Sequence, residues 1–199
     1  MRPLPFVWPV AIPFWLAYVW AFFPEAGVIR RARRSPAARG AQDAGSLHLI
    51  TWGGYVAALA AFVLAFTAQR ATIGGALRVP AYVAGILLLV AASLQRRHCF
   101  RMLGADFKGA VEVVPGQTVV DRGAYRWVRH PSYTAGVLLF AGVGLALGNW
   151  ASLAVLVLAT SALYAYRVAV EERALVATLG EPYAAYRRRT RWRFIPYVI

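Results

Sequence analysis

The reading of one stretch decides the fold: Arg129-His130-Pro131-Ser132-Tyr133, then TAGVLLFAGVGLAL at 134–147, Gly148-Asn149, WASLAVLVLATSALYAYRVAV at 150–170, and Glu171-Glu172. The two apolar runs are separated only by Gly148-Asn149, a pair that favours a tight turn. They predict an antiparallel helical hairpin whose open ends lie on the same side. One end carries the Arg129-His130-Pro131 cluster and the other the paired carboxylates, so segments far apart in the chain come face to face. Ionisable groups at a membrane boundary usually mark a site. A carboxylate pair directly after so apolar a run is hard to read as decoration.

Outward from the hairpin, the chain has the composition of a membrane protein. Of its 199 residues, 60% are hydrophobic and 15% charged, against about 45–50% and about 25% in a soluble domain. Arg supplies 21 of the 22 positive charges and Lys108 the other, for a net charge of +14. No helix-turn-helix, zinc-finger or RNP-like pattern accompanies that charge, so nucleic acid is not the expected partner. Cys99 is the only cysteine, which excludes an internal disulfide and a cysteine-based cluster. His98-Cys99 has no further ligands at useful spacing, and no metal site is expected.

The fold class is all-α: a polytopic integral membrane protein of about five spans, from the apolar segments Phe6–Phe23, Leu47–Thr67, Val79–Leu94, Thr134–Leu147 and Trp150–Val170. Roughly 20 residues cross a bilayer as a helix, and the third and fourth segments are short by that measure. Pro9 and Pro13 are expected to kink the first. A single Arg2, bulky Phe and Trp, and no small-x-small cleavage site favour a span over a cleaved leader there. The chain divides into an N-terminal unit, residues 1–94, whose spans are joined by a basic linker at 24–46, and a core, residues 95–199, made of a polar segment, the hairpin and a tail. Within the linker, residues 30–46 read as a surface connection or interfacial helix.

Charge sets the orientation. Residues 24–46 carry Arg30, Arg31, Arg33, Arg34 and Arg39, residues 95–133 six Arg and Lys108, and the tail from 167 seven Arg. Residues 68–78 carry only Arg70 and Arg78, and the Gly148-Asn149 turn carries no charge. The positive-inside rule then places the N-terminus outside and the polar segment and tail in the cytoplasm, where they can form one cap within reach of soluble cofactors.

The compound pattern Gly123, Tyr125, Arg129-His130-Pro131-Ser132-Tyr133, an apolar hairpin, Glu171-Glu172, then Leu175, Gly180, Tyr183, Tyr186 and Pro196 resembles the isoprenylcysteine carboxyl methyltransferase family. It is also similar to the related phospholipid and thiol methyltransferases of membranes. The resemblance covers residues 95–199 and leaves the first two spans without a signature. It implies an enzyme that uses S-adenosyl-L-methionine and acts on a lipophilic, in the closest case isoprenylated, acceptor taken from the lipid bilayer. Cofactor contacts carried over from the family fall on Tyr125, on His130, Pro131, Ser132 and Tyr133, and on Glu171. Gln117, Thr118, Val119 and Val120 lie along the cofactor ahead of the motif, Glu112 matches a further polar contact upstream, and Glu172 accompanies Glu171. Arg167, four residues before Glu171, falls where the family places a substrate-binding Arg. Arg167, Arg129 and Glu171 are thus the residues expected to carry catalysis.

The residue types suit that cofactor, which bears a sulfonium, an ammonium and a carboxylate. Glu171, His130 and Tyr133 supply a carboxylate, a donor and an aromatic face, and Tyr125 or Tyr133 near a cation would add roughly 0.5–2 kcal/mol. Arg129, pointed into the site, can grip a carboxylate bidentately. Methyl transfer is an in-line displacement, so positioning and exclusion of water dominate its rate. Two departures bear on the acceptor: Pro182 stands where the family commonly has a second acidic residue, and Gln117 where a His is common. Phospholipid N-methylation and thiol S-methylation are alternative reactions. The ending Arg193-Phe194-Ile195-Pro196-Tyr197 is also similar to membrane sterol reductases, whose pattern lacks the Glu pair, and a non-catalytic membrane protein is the alternative of another class. Structural roles stay open for single residues. His130-Pro131 can cap the fourth span, Glu171 can neutralise Arg167 one turn away, Glu172 can pair with a tail Arg, and Arg187-Arg188-Arg189 can face solvent or lipid head groups.

Overall fold

The computed structural model describes residues 1–34, 36, 40, 42–104 and 109–195. Arg39, Lys108, Pro196 and Tyr197, which enter the charge count and the C-terminal pattern, lie outside the described residues. Among the described residues there are six α-helices: α1 (Ala11–Arg34), α2 (Ser46–Thr67), α3 (Arg78–Leu103), α4 (Pro131–Ala146), α5 (Trp150–Leu179) and α6 (Glu181–Arg189). Helices α1, α2, α3 and α5 are long and apolar enough to cross a membrane. Their outer faces are apolar, with Leu16, Leu59, Leu87 and Leu158 all more than 60% exposed, as lipid-facing side chains are. The shorter apolar α4 has 16 residues, about 24 Å at 1.5 Å per residue, and stops short of the roughly 30 Å hydrocarbon core.

That difference in length creates the site. Both arms of the hairpin start from Gly148, with φ +67°, and Asn149, whose Oδ1 accepts from Ser152 N (3.1 Å) and whose Nδ2 donates to Ala68 O (2.9 Å). From this common base α4 ends at Pro131 while α5, at 30 residues, runs on past it. The far end of α5 therefore stands free to carry a polar cap.

Two expectations about element boundaries are corrected. The prolines do not kink the first span: Pro9 precedes α1 and Pro13 lies in its first turn, where a missing N–H breaks no helical bond. The proline inside α1 is Pro24. The third helix is also longer than its apolar segment, because residues after Leu94 find partners without leaving helical geometry. Arg96 Nε donates to Glu25 Oε1 at 2.7 Å, and the Arg97 guanidinium lies 3.9 Å from the Trp20 ring centre.

Small residues set the packing. Gly85 of α3 and Gly142 of α4 bring the two backbones into contact, since a Cβ at Gly85 would lie 2.4 Å from Ala146 N and one at Gly142 2.7 Å from Leu89 N. Ala57, Ala61 and Ala65 form a buried stripe on α2, the helix that packs on α5. Such stripes let membrane helices approach closely. Helix α1 packs on α3, leaving a space between α1 and α2. One end of the bundle gathers the chain start, the α2–α3 connection and the hairpin turn, through Arg78 Nη2 to Arg2 O (2.8 Å) and Ile73 N to Gly148 O (2.8 Å). The opposite end carries the C-terminus of α1, the polar segment and the tail.

Candidate active site

The site is assembled where the tail returns across the start of α4. Arg129 N donates to Trp192 O and His130 N to Arg193 O, each at 2.9 Å. Thr134 Oγ1 donates to Phe194 O at 2.8 Å. Arg129 adds Nη1 bonds to Thr190 O (2.8 Å) and Arg191 O (2.7 Å), while its Nε donates to Glu172 Oε1 at 2.7 Å. Glu172 also faces His130 Nε2 at 3.1 Å and Arg193 Nη2 at 3.3 Å. A carboxylate can only accept, so Nε2 of His130 carries the proton and Nδ1 is left towards Glu171, 4.0 Å from Oε2. Glu172 is 5% exposed and pairs with Arg129, His130 and the tail Arg193, so the pairing with a tail Arg is present.

Glu171 faces the other way, into a cleft of about 120 Å3 between the polar segment, α5 and α6. Glu112, Gln117, Thr118, Val119, Val120 and Tyr125 line one side of it. Arg129, His130, Tyr133, Arg167 and Glu171 line the other. Pro131, Ser132 and Glu172 do not reach it. Arg129 borders the cleft with its guanidinium committed to Glu172 and the tail carbonyls, so the free bidentate grip expected of it is already taken. Tyr183, expected only as part of the motif, lines the cleft too. The hydroxyl of Tyr183 is buried with no hydrogen-bond partner among the described residues, and that of Tyr125 is buried beside Ser132. Burial pushes both phenols up from their ordinary range, so both stay protonated donors.

Tyr133 forms the back of the cleft. Its ring stacks between His130 (5.7 Å) and Tyr164 (5.1 Å), and its hydroxyl donates to Glu171 Oε2 at 2.7 Å. Arg167 Nε reaches the same hydroxyl at 3.4 Å. The direct neutralisation of Arg167 by Glu171 one turn away is therefore replaced by a hydroxyl bridge. The counter-ion of Arg167 is Asp43, bonded to Nη1, which also reaches Ser46 Oγ; Nη2 donates to Gly109 O at 2.6 Å. Asp43 is 0% exposed. Burial pushes its carboxyl up, but bonds from Leu47 N and Val111 N and the Arg167 charge outweigh this and leave it below its ordinary value. Leaving one partner of such a buried pair alone costs about 3–5 kcal/mol.

Behind this wall lies a second space of about 320 Å3, bounded by α1 to α5 and lined mainly by apolar groups such as Phe22, Ile29, Leu47, Leu139 and Phe140. Its charged members besides Arg167 are the Arg96–Glu25 pair, with Arg96 Nη1 donating to Ser132 O at 2.6 Å. Cleft and chamber share Gly109, Tyr133 and Arg167. Asp43, Glu25 and Arg96 went unmarked in the sequence; the one available signal was that an Arg inside a span needs a buried acidic partner.

A helical membrane protein in which a polar cleft and an apolar chamber meet at one thin wall is the class that fold and site define. Residues 84–177 match the model of the isoprenylcysteine carboxyl methyltransferase (ICMT) family, so the family likeness carried by the motif is borne out over the stretch that carries Tyr133 and Arg167. The chain is 28% identical over 109 residues to the protein-S-isoprenylcysteine O-methyltransferase of Xenopus laevis, covering 54% of this chain and 38% of that one. It is 34% identical over 71 residues to the enzyme of the same name from Schizosaccharomyces pombe, covering 36% and 30%. The chain thus spans well under half the length of these curated relatives. The solved structure of the eukaryotic intramembrane Ras methyltransferase ICMT is similar in fold, with a TM-score of 0.61 and 24% identity over 72% of this chain and 52% of that one.

Proposed function

We propose that this chain is a membrane-embedded methyltransferase that uses S-adenosyl-L-methionine and methylates a lipophilic acceptor, most like the carboxylate of an isoprenylated cysteine. The observation that carries this reading is the wall shared by cleft and chamber, Tyr133 and Arg167. A water-soluble donor and a lipid-soluble acceptor need separate compartments that touch at one point.

The cleft residues fit the cofactor. Glu171, His130 and Tyr133 would hold its charged amino-acid end, and the buried hydroxyls of Tyr125 and Tyr183 offer donors to its oxygens. Val111, Val113, Leu175 and Leu179 supply the apolar lining that a nucleoside face requires. When bound, the cofactor supplies an electrophilic methyl group. The chain's own residues do the positioning: Tyr133 and Arg167 keep the acceptor head at the wall, and the tail laid over residues 129–134 shields it from water, the two contributions that dominate a displacement of this kind. A carboxylate acceptor needs no general base. The Arg-rich ends of α1 and α3, the polar segment and the tail gather at one end of the bundle, which by the positive-inside rule supports a cytoplasmic cleft and an outward hairpin turn.

The test is calorimetric titration with S-adenosylhomocysteine, followed by transfer of labelled methyl from S-adenosyl-L-methionine to a prenylcysteine, a phosphatidylethanolamine and a small thiol. Saturable binding and labelling of the prenylcysteine are expected. Labelling of the amine or thiol instead would reassign the acceptor, and absence of binding, or binding of NADPH in its place, would overturn the reading.

A further inference from the structure

Residues 109–113 line the cleft without belonging to a helix or strand, so their backbone groups must be satisfied from outside. The partners come from the linker ahead of α2, from Gln42 and Asp43. Gln42 Oε1 accepts from Val113 N at 2.8 Å while its Nε2 donates to Val113 O at 3.3 Å. This pairs the side-chain amide with the backbone as a neighbouring strand would. Asp43 Oδ1 accepts from Val111 N at 2.9 Å, and the same oxygen holds Arg167. Its Oδ2 accepts from Leu47 N at 3.0 Å, tying the arrangement to the first turn of α2. Arg167 closes the loop through Gly109 O.

We propose that Gln42 and Asp43 are positioning residues of the cofactor cleft. Asp43 links the cleft wall at Val111 to the acceptor-side Arg167, and Gln42 clips the wall at Val113. Both lie ahead of residues 84–177, in the stretch that reads as a surface linker, so the N-terminal half completes a site that the family-matched half cannot close alone. The inference rests on the cleft being the cofactor site.

The two residues offer variants of different severity. Gln42 is exposed, so Gln42→Ala removes the clip without disturbing a buried charge, whereas Asp43→Asn strips the charge opposite Arg167. In the full-length, detergent-solubilised protein, Gln42→Ala is expected to weaken S-adenosylhomocysteine binding at least threefold and Asp43→Asn at least tenfold. Amide exchange at Val113 is expected to rise in Gln42→Ala even without ligand. A purely structural role would lower the melting temperature and leave affinity within twofold of wild type, and that result overturns the inference. If Asp43→Asn does not fold, Gln42→Ala decides. A wild-type chain that does not bind S-adenosylhomocysteine overturns the cofactor reading and this inference together; equal binding by wild type and variants overturns this inference alone.

Discussion

Arg167 has most of its hydrogen-bonding capacity committed before any ligand arrives. A guanidinium offers five N–H groups, and Asp43, Ser46 and Gly109 take three of them, with Tyr133 at the end of a longer fourth contact. What it can present at the wall is a fixed direction rather than a free fork. Lys cannot hold three partners in one plane, so Arg167→Lys is expected to lower turnover at least tenfold, about 1.4 kcal/mol of transition-state stabilisation, while S-adenosylhomocysteine affinity stays within about threefold. Parallel loss of both would mean that Arg167 only props the cleft. Glu171 is the opposite case, since among the described residues its Oε2 has Tyr133 as its hydrogen-bond donor and the carboxylate faces the cleft. Glu171→Gln is expected to weaken S-adenosylhomocysteine binding at least tenfold in calorimetry, in keeping with roughly 1.5–3 kcal/mol for a hydrogen bond to a charged group. Unchanged affinity would assign the carboxylate to structure alone.

At the scale of elements, the wall depends on how closely α3 and α4 approach. Gly142 leaves no room for a side chain, because its added Cβ would meet Leu89 N at 2.7 Å and Gly85 O at 2.8 Å, both backbone atoms. Gly142→Ala must therefore push the helices apart, and overpacking of this kind typically costs about 1–3 kcal/mol. A lowered thermal midpoint of the solubilised protein is expected; a midpoint equal to wild type would show that the helices separate without cost. Because α3 carries Arg96 against Ser132 O at the start of α4, that separation should also widen the chamber.

For the whole molecule, the two ends of the bundle differ in what they hold, and that difference can be read chemically. Thr118 and Arg188 are exposed at the cleft end and Arg70 at the hairpin end, while Cys99 is 0% exposed and should stay silent. Cysteines introduced singly at 118 and 188 should react with an impermeant maleimide only from the cytoplasmic face, and one at 70 only from the opposite face. Labelling of 118 and 188 from different faces would break the single-cap arrangement.

Much of this was legible in the sequence, and the physical reason is locality. Gly148-Asn149 between two apolar runs imposes a hairpin through turn chemistry alone, and the hairpin places Glu171 opposite His130 and Tyr133 whatever the rest of the chain does. The apolar composition likewise dictated a helical membrane protein, because a backbone in lipid must satisfy its own hydrogen bonds. Helix ends were less legible: α1 and α3 outrun their apolar segments because Glu25 and Arg96 satisfy each other, a pairing invisible to a hydropathy pattern. The direction of Glu172, neighbour of Glu171 on the same helix, was decided by the returning tail and by Arg129. The partner of Arg167 was decided by tertiary structure alone. A buried guanidinium requires an acid, but Asp43 lies 124 positions away, and only the packing of α2 on α5 brings it there.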